Sequence, residues 1–244
     1  AGGWKIEFED GAIMNMDTAE HIREAAGVLS QYADILAVRS FPGLTDRTAD
    51  YQDQIIKAFA KHASVPVVSL ESATRHPLQS LADCLTIREH SFRPRPKVVL
   101  SWAPHPRSLP QAVATSFAEW MQIWGAVDLV ITHPKGFELA PEFSQGAKIE
   151  YDQDRALTGA DFVYTKNWSS YIDYGQTGDF PEWQITAAKL AKTNNAYFMH
   201  CLPVRRNVVV ADAVLDSDRS LVLQQANNRT WAVQAVLLEM LKAL

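Results

Sequence analysis

The sequence predicts an α/β protein with two lobes, each built from a doubly wound parallel sheet flanked by helices. Apolar runs of strand length alternate with amphipathic helical segments along almost the whole chain. This alternation is typical of βαβ units, whose strands pair in parallel. The proline-rich segment SFRPRPK, residues 91–97, is the best candidate for a linker between the two sheets.

The first lobe contains two clear strands and two helical segments. In chain order we predict a helix over residues 18–32, a strand over 34–40, a helix over 51–62 and a strand over 65–70. Thr18 precedes the first helical pattern and is its expected N-cap.

The second lobe repeats the alternation over a longer stretch. We predict a helix from RHPLQ, strands over 97–103, 127–133, 161–167, 196–201 and 220–225, helices over 109–124 and 152–157, and a last helix from about 226. Residues 76–225 are expected to form this lobe. Residues 1–75 with the helix 226–244 are expected to form the first, which looks incomplete because it is one or two βα units short.

The composition disfavours two broad classes of protein. With 28 acidic and 23 basic residues, the net charge is −5, which argues against non-specific nucleic-acid binding. No apolar run reaches the about 18 residues of a membrane span, and no signal peptide is visible. Cys84 and Cys201 give no disulfide framework, so we expect a cytoplasmic protein.

Cationic and hydrogen-bonding side chains follow most of the predicted strands. In open parallel sheets, ligands bind beyond the carboxyl ends of the strands. The residues at these ends are Arg39, Phe41, Glu71, His76, Gln79, His105, Arg107, His133, Lys166, Trp168 and the segment 200–206. This pattern predicts a polyanionic small-molecule ligand held between the lobes.

The stretch FMHCLPVRRN, residues 198–207, allows three interpretations. Cys201 as a nucleophile needs a base, but on a strand its neighbour His200 points to the opposite face. A zinc site is disfavoured because no CxxC or HxxxH spacing accompanies the pair. Packing of the thiol as a small hydrophobe remains, and it leaves the carbonyls of Cys201 and Leu202 free to accept from a ligand amide.

Pro77 fits the first turn of a helix, which places His76 at the N-cap, where an anion is favoured. Gln79 faces the same site. Arg39 ends an apolar strand and is either an anion ligand or the ion-pair partner of Asp34 or Glu71.

The sequence leaves the roles of three further arginines undecided. Arg205 and Arg206 are adjacent, so one is expected at the site and the other in a salt bridge between the lobes. Arg229 is either a site residue or a solvated surface residue. No GxGxxG and no P-loop are present, and the sequence predicts neither a cofactor nor a metal.

Three blocks, HPLQSLAD, HCLP and QANNR, resemble the aspartate/ornithine carbamoyltransferase superfamily from about Trp4 to Leu244. YTKNW, with Lys166, stands where ornithine enzymes of this family receive a free α-amino group. A cation there suits an acylated amine instead. ATRHPLQ, WAPHPR and HCLPVRRN resemble the branch that acts on N-acylated ornithines in arginine synthesis.

The acyl group is inferred from two positions. Ala19 stands at the loop position where the acetyl enzymes carry a glutamate and the succinyl enzymes a proline. It therefore lacks the charge that repels a succinyl carboxylate. Val209 stands where the acetyl branch has a lysine. We expect a succinylated ornithine, with the acetylated or free amino acid as the alternative.

The resemblance also implies a role for each site residue and a homotrimer with shared sites. The residues expected to bind carbamoyl phosphate are Trp4, reaching into a neighbouring subunit, Arg39, His76, Gln79, Cys201, Leu202 and Arg229. Among these, Arg39, His76 and Gln79 are the expected catalytic residues. The residues expected to bind the acylated ornithine are Ala19, Glu71, His105, Arg107, Lys166 and Arg205.

One departure from the family pattern bears on function. The family's SxRTR phosphate-binding block, expected upstream of Trp4, has no counterpart in the chain, so we expect the sequence to belong to a longer enzyme. The rival interpretation is a non-catalytic protein with this fold that binds an acidic amino-acid derivative.

Overall fold

The computed structural model describes residues 5–243, which form nine strands, ten α-helices and one turn of 3-10 helix at Pro181–Trp183. The strands are β1 (Ile6–Glu7), β2 (Glu20–His21), β3 (Leu36–Arg39), β4 (Val67–Glu71), β5 (Lys97–Trp102), β6 (Asp128–Thr132), β7 (Lys148–Glu150), β8 (Phe162–Lys166) and β9 (Tyr197–Met199). The helices are α1 (Ile22–Leu29), α2 (Arg47–Tyr51), α3 (Gln54–His62), α4 (Pro77–His90), α5 (Ala112–Trp124), α6 (Pro141–Ser144), α7 (Gln153–Leu157), α8 (Ala187–Leu190), α9 (Asp212–Leu215) and α10 (Val222–Lys242).

Every strand pair in the described residues is parallel, which confirms the predicted α/β architecture. The larger sheet has the strand order β7-β6-β5-β8-β9, and β3 pairs with β4 in a separate sheet. From β5 the chain passes outward through β6 to β7, and then returns to the other side of β5 to form β8 and β9. The order therefore reverses between β5 and β8, where a crevice for ligands is expected.

The larger sheet is covered on both faces, as its central strand shows. Val98 and Leu100 belong to one buried cluster, which includes Phe117 of α5, whereas Val99 belongs to a second cluster with Phe198. Successive residues of a strand point to opposite faces, so an apolar run such as β5 serves both cores. A smaller third cluster lies under α1, α3 and β3.

Helices α4 and α10 pack against each other, and because α4 contacts β4 and α10 contacts β9, the pair connects the β3–β4 sheet to the larger sheet. The predicted strand over 220–225 is wrong, because α10 already begins at Val222. Ser220 forms only an isolated bridge with Phe198, and the Leu221 N–H donates to the Phe198 carbonyl at 2.9 Å. The apolar run is short, and a run of this length does not distinguish a buried strand from a buried helical turn.

The beginnings of three helices also differ from the prediction. Thr18 does not cap α1; His21 does, because its Nδ1 accepts from the Arg23 N–H at 3.2 Å. The predicted helix over 51–62 is two helices, separated at Asp53, whose φ of 48° is left-handed. The predicted helix from 109 begins at Ala112.

The loop after β8 lies close to the first lobe at Gly175. Its φ is +80°, and a Cβ there would overlap the Leu44 carbonyl oxygen. One residue earlier, the Tyr174 hydroxyl donates to Asp50 Oδ2 at 2.8 Å. The two lobes therefore meet where only glycine fits.

We expect Gly175→Ala to destabilise the protein by about 2–4 kcal/mol, combining left-handed strain with overlap. Gly159→Ala is the matched control, since Gly159 has a φ of +70° but nothing within 4 Å of an added Cβ. That control should lose only the strain, about 1–2 kcal/mol. Urea unfolding measures both free energies, and equal losses would contradict the close approach.

Candidate active site

The predicted site residues gather where strands of both sheets end. Arg39 ends β3 and Glu71 ends β4, and Lys166 ends β8. Cys201 and Leu202 come just after β9. Parallel pairing places the carboxyl ends within a sheet at one edge, so the residues that follow them share that edge.

Glu71 is the common partner of two cationic or polar neighbours. Arg39 donates to Glu71 Oε2 from Nε at 2.9 Å and from Nη2 at 2.5 Å, and His76 Nε2 lies 3.8 Å from the same oxygen. The Glu71 side chain is 7% exposed and that of Arg39 is 52% exposed. Of the two partners considered for Arg39, the structure shows Glu71. The contacts place Glu71 beside residues predicted for carbamoyl phosphate.

His76 is held neutral. It is the N-cap of α4, as predicted, without a side-chain capping bond. Burial, with the positive charges of Arg229, Arg39 and Lys166 as smaller causes, lowers the pKa of its imidazole to about 3. Its Nδ1 is buried without a hydrogen-bond partner in the described structure. A neutral imidazole can present one N–H donor to a ligand.

Gln79 lies one turn further along α4 and is almost fully buried. Its Nε2 donates to Asp83 Oδ1 at 2.8 Å. Its Oε1 is buried and, among residues 5–243, accepts no hydrogen bond. Buried polar atoms are nearly always paired, so this oxygen and Nδ1 of His76 are two unpaired polar groups that a bound ligand can satisfy.

The segment after β9 offers backbone acceptors rather than a nucleophile. The His200 N–H donates to Gln225 Oε1 at 2.9 Å, and His200 Nδ1 accepts from the Leu202 N–H at 3.0 Å. Leu202 has a φ of 50°. In the described part of the chain, neither the Cys201 nor the Leu202 carbonyl accepts a hydrogen bond. Burial raises the pKa of the Cys201 thiol, which keeps it protonated and unreactive.

A second group of cations surrounds His105. Its Nε2 accepts from Arg205 Nε at 3.1 Å, which leaves the proton of the neutral ring on Nδ1, and Nδ1 lies 2.9 Å from the Arg107 carbonyl oxygen and 3.1 Å from the Arg107 backbone nitrogen. Burial lowers the pKa of His105, and the charges of Arg205, Lys166 and Arg107 act in the same direction. Arg205 and Arg107 are exposed. This group can receive a carboxylate.

The prediction for Arg206 is wrong. The residue binds Asp212 and Asp216, 2.9 Å and 2.6 Å away, and both lie in the same lobe. The acidic partners follow within ten residues, so a local pair forms without help from the first lobe.

The remaining predicted residues lie in different places. Arg229 is exposed on α10, and its charge lowers the pKa values of both His76 and Asp83, so it lies within electrostatic range of these two residues. Ala19 is exposed beside β2, and its N–H donates to the Lys5 carbonyl at 3.0 Å. Trp4 lies outside the described residues.

Three buried polar residues near the site escape the sequence prediction: Asp83, Gln225 and Asn228. Asp83 stands four positions after Gln79, and thus on the same helix face. The spacing of these two polar side chains on an otherwise buried helix is the feature by which the sequence could have identified Asp83.

Two absences can be stated for residues 5–243. No group of three His, Cys, Asp or Glu side chains is placed to hold a metal ion. No helix in this range is both long and apolar enough to cross a membrane.

Family models match most of the chain. The carbamoyl-P binding domain of aspartate/ornithine carbamoyltransferases matches residues 1–89, and the Asp/Orn binding domain of the same family matches residues 110–240. The N-succinylornithine carbamoyltransferase of Bacteroides thetaiotaomicron is 52% identical over 246 residues, covering 100% of this chain and 77% of that protein. The N-acetylornithine carbamoyltransferase of Xanthomonas campestris pv. campestris is 36% identical over 256 residues, covering 96% and 75%.

Solved structures agree with these similarities. An acetylornithine transcarbamylase complexed with acetylcitrulline superimposes with a TM-score of 0.91 at 35% identity, covering 97% of this chain and 77% of that one. A mutant of N-acetyl-L-ornithine transcarbamylase complexed with carbamyl phosphate and N-succinyl-L-norvaline gives a TM-score of 0.90 at 35% identity, with the same coverage.

The neutral state of His76 predicts a stability that depends on pH. Its folded pKa is about 3 against 6.5 for a free histidine, so below pH 6.5 the unfolded chain binds a proton that the folded chain excludes. Stability is therefore full above pH 6.5 and declines as pH falls toward 3. His76→Gln should remove up to about 1.4 kcal/mol per pH unit of this slope.

Urea unfolding at pH 7, 6 and 5 measures the slope for His76→Gln and for the control His62→Gln. His62 ends α3, outside the site, so its replacement should leave the slope close to that of the unchanged protein. Identical slopes for the two variants would contradict a neutral, buried His76.

Proposed function

Because the chain belongs to the aspartate/ornithine carbamoyltransferase family, we propose that it transfers the carbamoyl group of carbamoyl phosphate to the side-chain amine of N-succinyl-L-ornithine. The products are N-succinyl-L-citrulline and phosphate, in arginine biosynthesis. The observation that carries the proposal is the whole-chain similarity to enzymes named N-succinylornithine carbamoyltransferase, which exceeds the similarity to the acetylornithine enzymes. The predicted family resemblance is thus confirmed.

Carbamoyl phosphate is proposed to bind between α4, β3 and the segment after β9. Arg39 and Arg229 bring positive charge for the phosphate. Gln79 Oε1 and the backbone carbonyls of Cys201 and Leu202 accept from the carbamoyl NH₂. An amide group carries two N–H donors, which matches the surplus of acceptors here. Trp4 is proposed to reach a neighbouring subunit's site.

The acylated ornithine is proposed to bind beside the group formed by His105, Arg205 and Lys166. An acylated α-amino group carries no positive charge, so it tolerates these cations, whereas the free ammonium of ornithine is repelled. The α-carboxylate and the succinyl carboxylate of the substrate supply two anions. Arg107, which is exposed, remains a predicted binding residue together with Glu71 and Ala19.

The reaction is a direct displacement at the carbamoyl carbon. The neutral side-chain amine forms the new C–N bond, the C–O bond to phosphate breaks, and the amine loses a proton. His76 and Arg39 stabilise the negative charge that develops on the carbonyl oxygen. The lowered pKa of His76 suits this role, since the imidazole donates a hydrogen bond without competing for the amine's proton. Gln79 orients the carbamoyl group.

The oligomeric state and the cellular location are also proposals. We propose a homotrimer with active sites shared between subunits, which a measurement of molar mass decides. A cytoplasmic location is supported by the two cysteines, Cys84 and Cys201, both of which are free thiols.

The full-length protein should convert N-succinyl-L-ornithine to the citrulline derivative in the presence of carbamoyl phosphate. Parallel reactions with N-acetylornithine and ornithine should be at least about tenfold slower, because each lacks a charge that the cationic group receives. Product from acetylornithine alone would keep the reaction and overturn the substrate. No product from any of the three would favour the ligand-binding interpretation.

His76→Ala should lower kcat by about 10²–10³, the typical effect of removing one donor from a developing oxyanion. The inhibition constant of inorganic phosphate should change by less than about threefold, because the arginines that attract phosphate remain. Steady-state kinetics give both values. Equal losses in kcat and in phosphate affinity would assign His76 to substrate positioning alone.

A further inference from the structure

One buried carboxylate connects both sides of the proposed carbamoyl-phosphate site. Asp83 lies on α4 and is fully buried. Its Oδ1 accepts a hydrogen bond from Gln79 Nε2 at 2.8 Å and another from Gln225 Nε2 of α10 at 2.6 Å. The first contact involves Gln79, a predicted site residue. The second involves Gln225, which accepts from His200 just after β9.

The first contact determines which end of the Gln79 amide faces the ligand. Oδ1 of Asp83 acts as a hydrogen-bond acceptor, so it selects the NH₂ end of a neighbouring amide. Gln79 therefore turns its Oε1 away from Asp83, and this is the buried oxygen that accepts nothing from residues 5–243. The orientation of this acceptor follows from the accepting oxygen Oδ1 of Asp83.

The second contact determines the orientation of Gln225 in the same way. With Nε2 on Asp83, Gln225 presents Oε1 to the His200 N–H at 2.9 Å. His200 in turn binds the Leu202 N–H. The free carbonyls of Cys201 and Leu202 are thus held in place through Gln225.

We propose that Asp83 is a positioning residue for the carbamoyl half of the site, orienting Gln79 directly and the backbone carbonyls after β9 through Gln225. The proposal rests on the proposed function, since it concerns the acceptors of the carbamoyl NH₂. Asp83 touches no substrate itself. It couples α4 to α10, and so couples the two groups of acceptors that grip one ligand.

The environment of Asp83 is consistent with this role. Burial raises the pKa of the carboxyl to about 7, while its hydrogen bonds from Gln79 and Gln225 oppose that rise. Both protonation states keep an accepting oxygen at Oδ1. An asparagine side chain also offers one such oxygen, so Asp83→Asn can preserve the two contacts, whereas Asp83→Leu keeps the branched outline of the side chain and removes both contacts.

A matched control lies one turn further along the same helix pair. Thr86 Oγ1 accepts from Asn228 Nδ2 at 3.0 Å, joining α4 to α10 without contacting Gln79 or Gln225. Thr86→Val removes this buried hydrogen bond while keeping the shape of the side chain. It reports what the loss of a polar contact between these helices does to activity.

The test compares the kinetics of the full-length protein carrying Asp83→Leu, Asp83→Asn or Thr86→Val with those of the unchanged protein. Asp83→Leu should lower kcat/KM for carbamoyl phosphate by on the order of 100-fold, the typical effect of misplaced binding groups. The KM for the acylated ornithine should change by less than about threefold, because the residues proposed to bind it, His105, Arg205 and Lys166, make no hydrogen bond with Asp83 in the described structure. Asp83→Asn should recover most of the loss, and Thr86→Val should resemble the unchanged protein.

Three results would overturn the positioning role. The first is an equal kcat/KM for Asp83→Leu and Thr86→Val. The second is an Asp83→Leu variant whose KM rises by the same factor for carbamoyl phosphate and for the acylated ornithine. The third is an Asp83→Asn variant that is as impaired as Asp83→Leu. If Asp83→Leu does not fold, Gln225→Met replaces it, and a carbamoyl-phosphate KM equal to that of Thr86→Val overturns the proposal. An unchanged protein without carbamoyltransferase activity would instead refute the proposed function.

Discussion

The site depends on one constraint, the parallel pairing of β5 with β6 on one side and β8 on the other. Parallel strands end at the same edge, and the strand order reverses beside β5, which is where such sheets generally bind ligands. Residues far apart in sequence, such as His105 and Lys166, are neighbours for this reason. The separate β3–β4 sheet adds Arg39 and Glu71 from the other lobe.

Local positive charge, rather than the net charge of −5, determines the electrostatics of the site. His76 and His200 are buried, and burial is the main cause of their lowered pKa values. Lys166 acts on both, so an uncharged imidazole stands among cations. Such a site attracts anions, while its imidazoles stay uncharged.

The helix pair α4 and α10 combines a structural and a functional task. Its interface is polar where Asp83, Gln225 and Asn228 meet, and a buried polar contact is costly unless each group is paired. Several buried polar atoms among residues 5–243 have no hydrogen-bond partner, and three of them, Nδ1 of His76, Oε1 of Gln79 and Oδ2 of Asp83, lie on α4 or at its N-cap. Incomplete pairing there is what a ligand with both donors and an acceptor can complete.

Much of the fold was predictable because it depends on local patterns. Alternating apolar runs predicted the strands β3 to β6, β8 and β9 but missed the three-residue strand β7, and Pro77 predicted the first turn of α4 with His76 at its N-cap. Runs too short to show a period failed, as at Ser220–Gln225, and so did the cap of α1, where the contact of His21 with Arg23 replaced Thr18. Local propensity does not determine such ends.

By itself the sequence determined the parallel α/β class, the family and the residue types that collect at the strand ends. Only the tertiary structure decided which of them touch. It chose Glu71 over Asp34 for Arg39, kept Arg206 within its own lobe, and joined Gln79 to Gln225 through Asp83. Periodicity reports which face of an element is buried, whereas pairing between elements depends on packing distances that no single segment encodes.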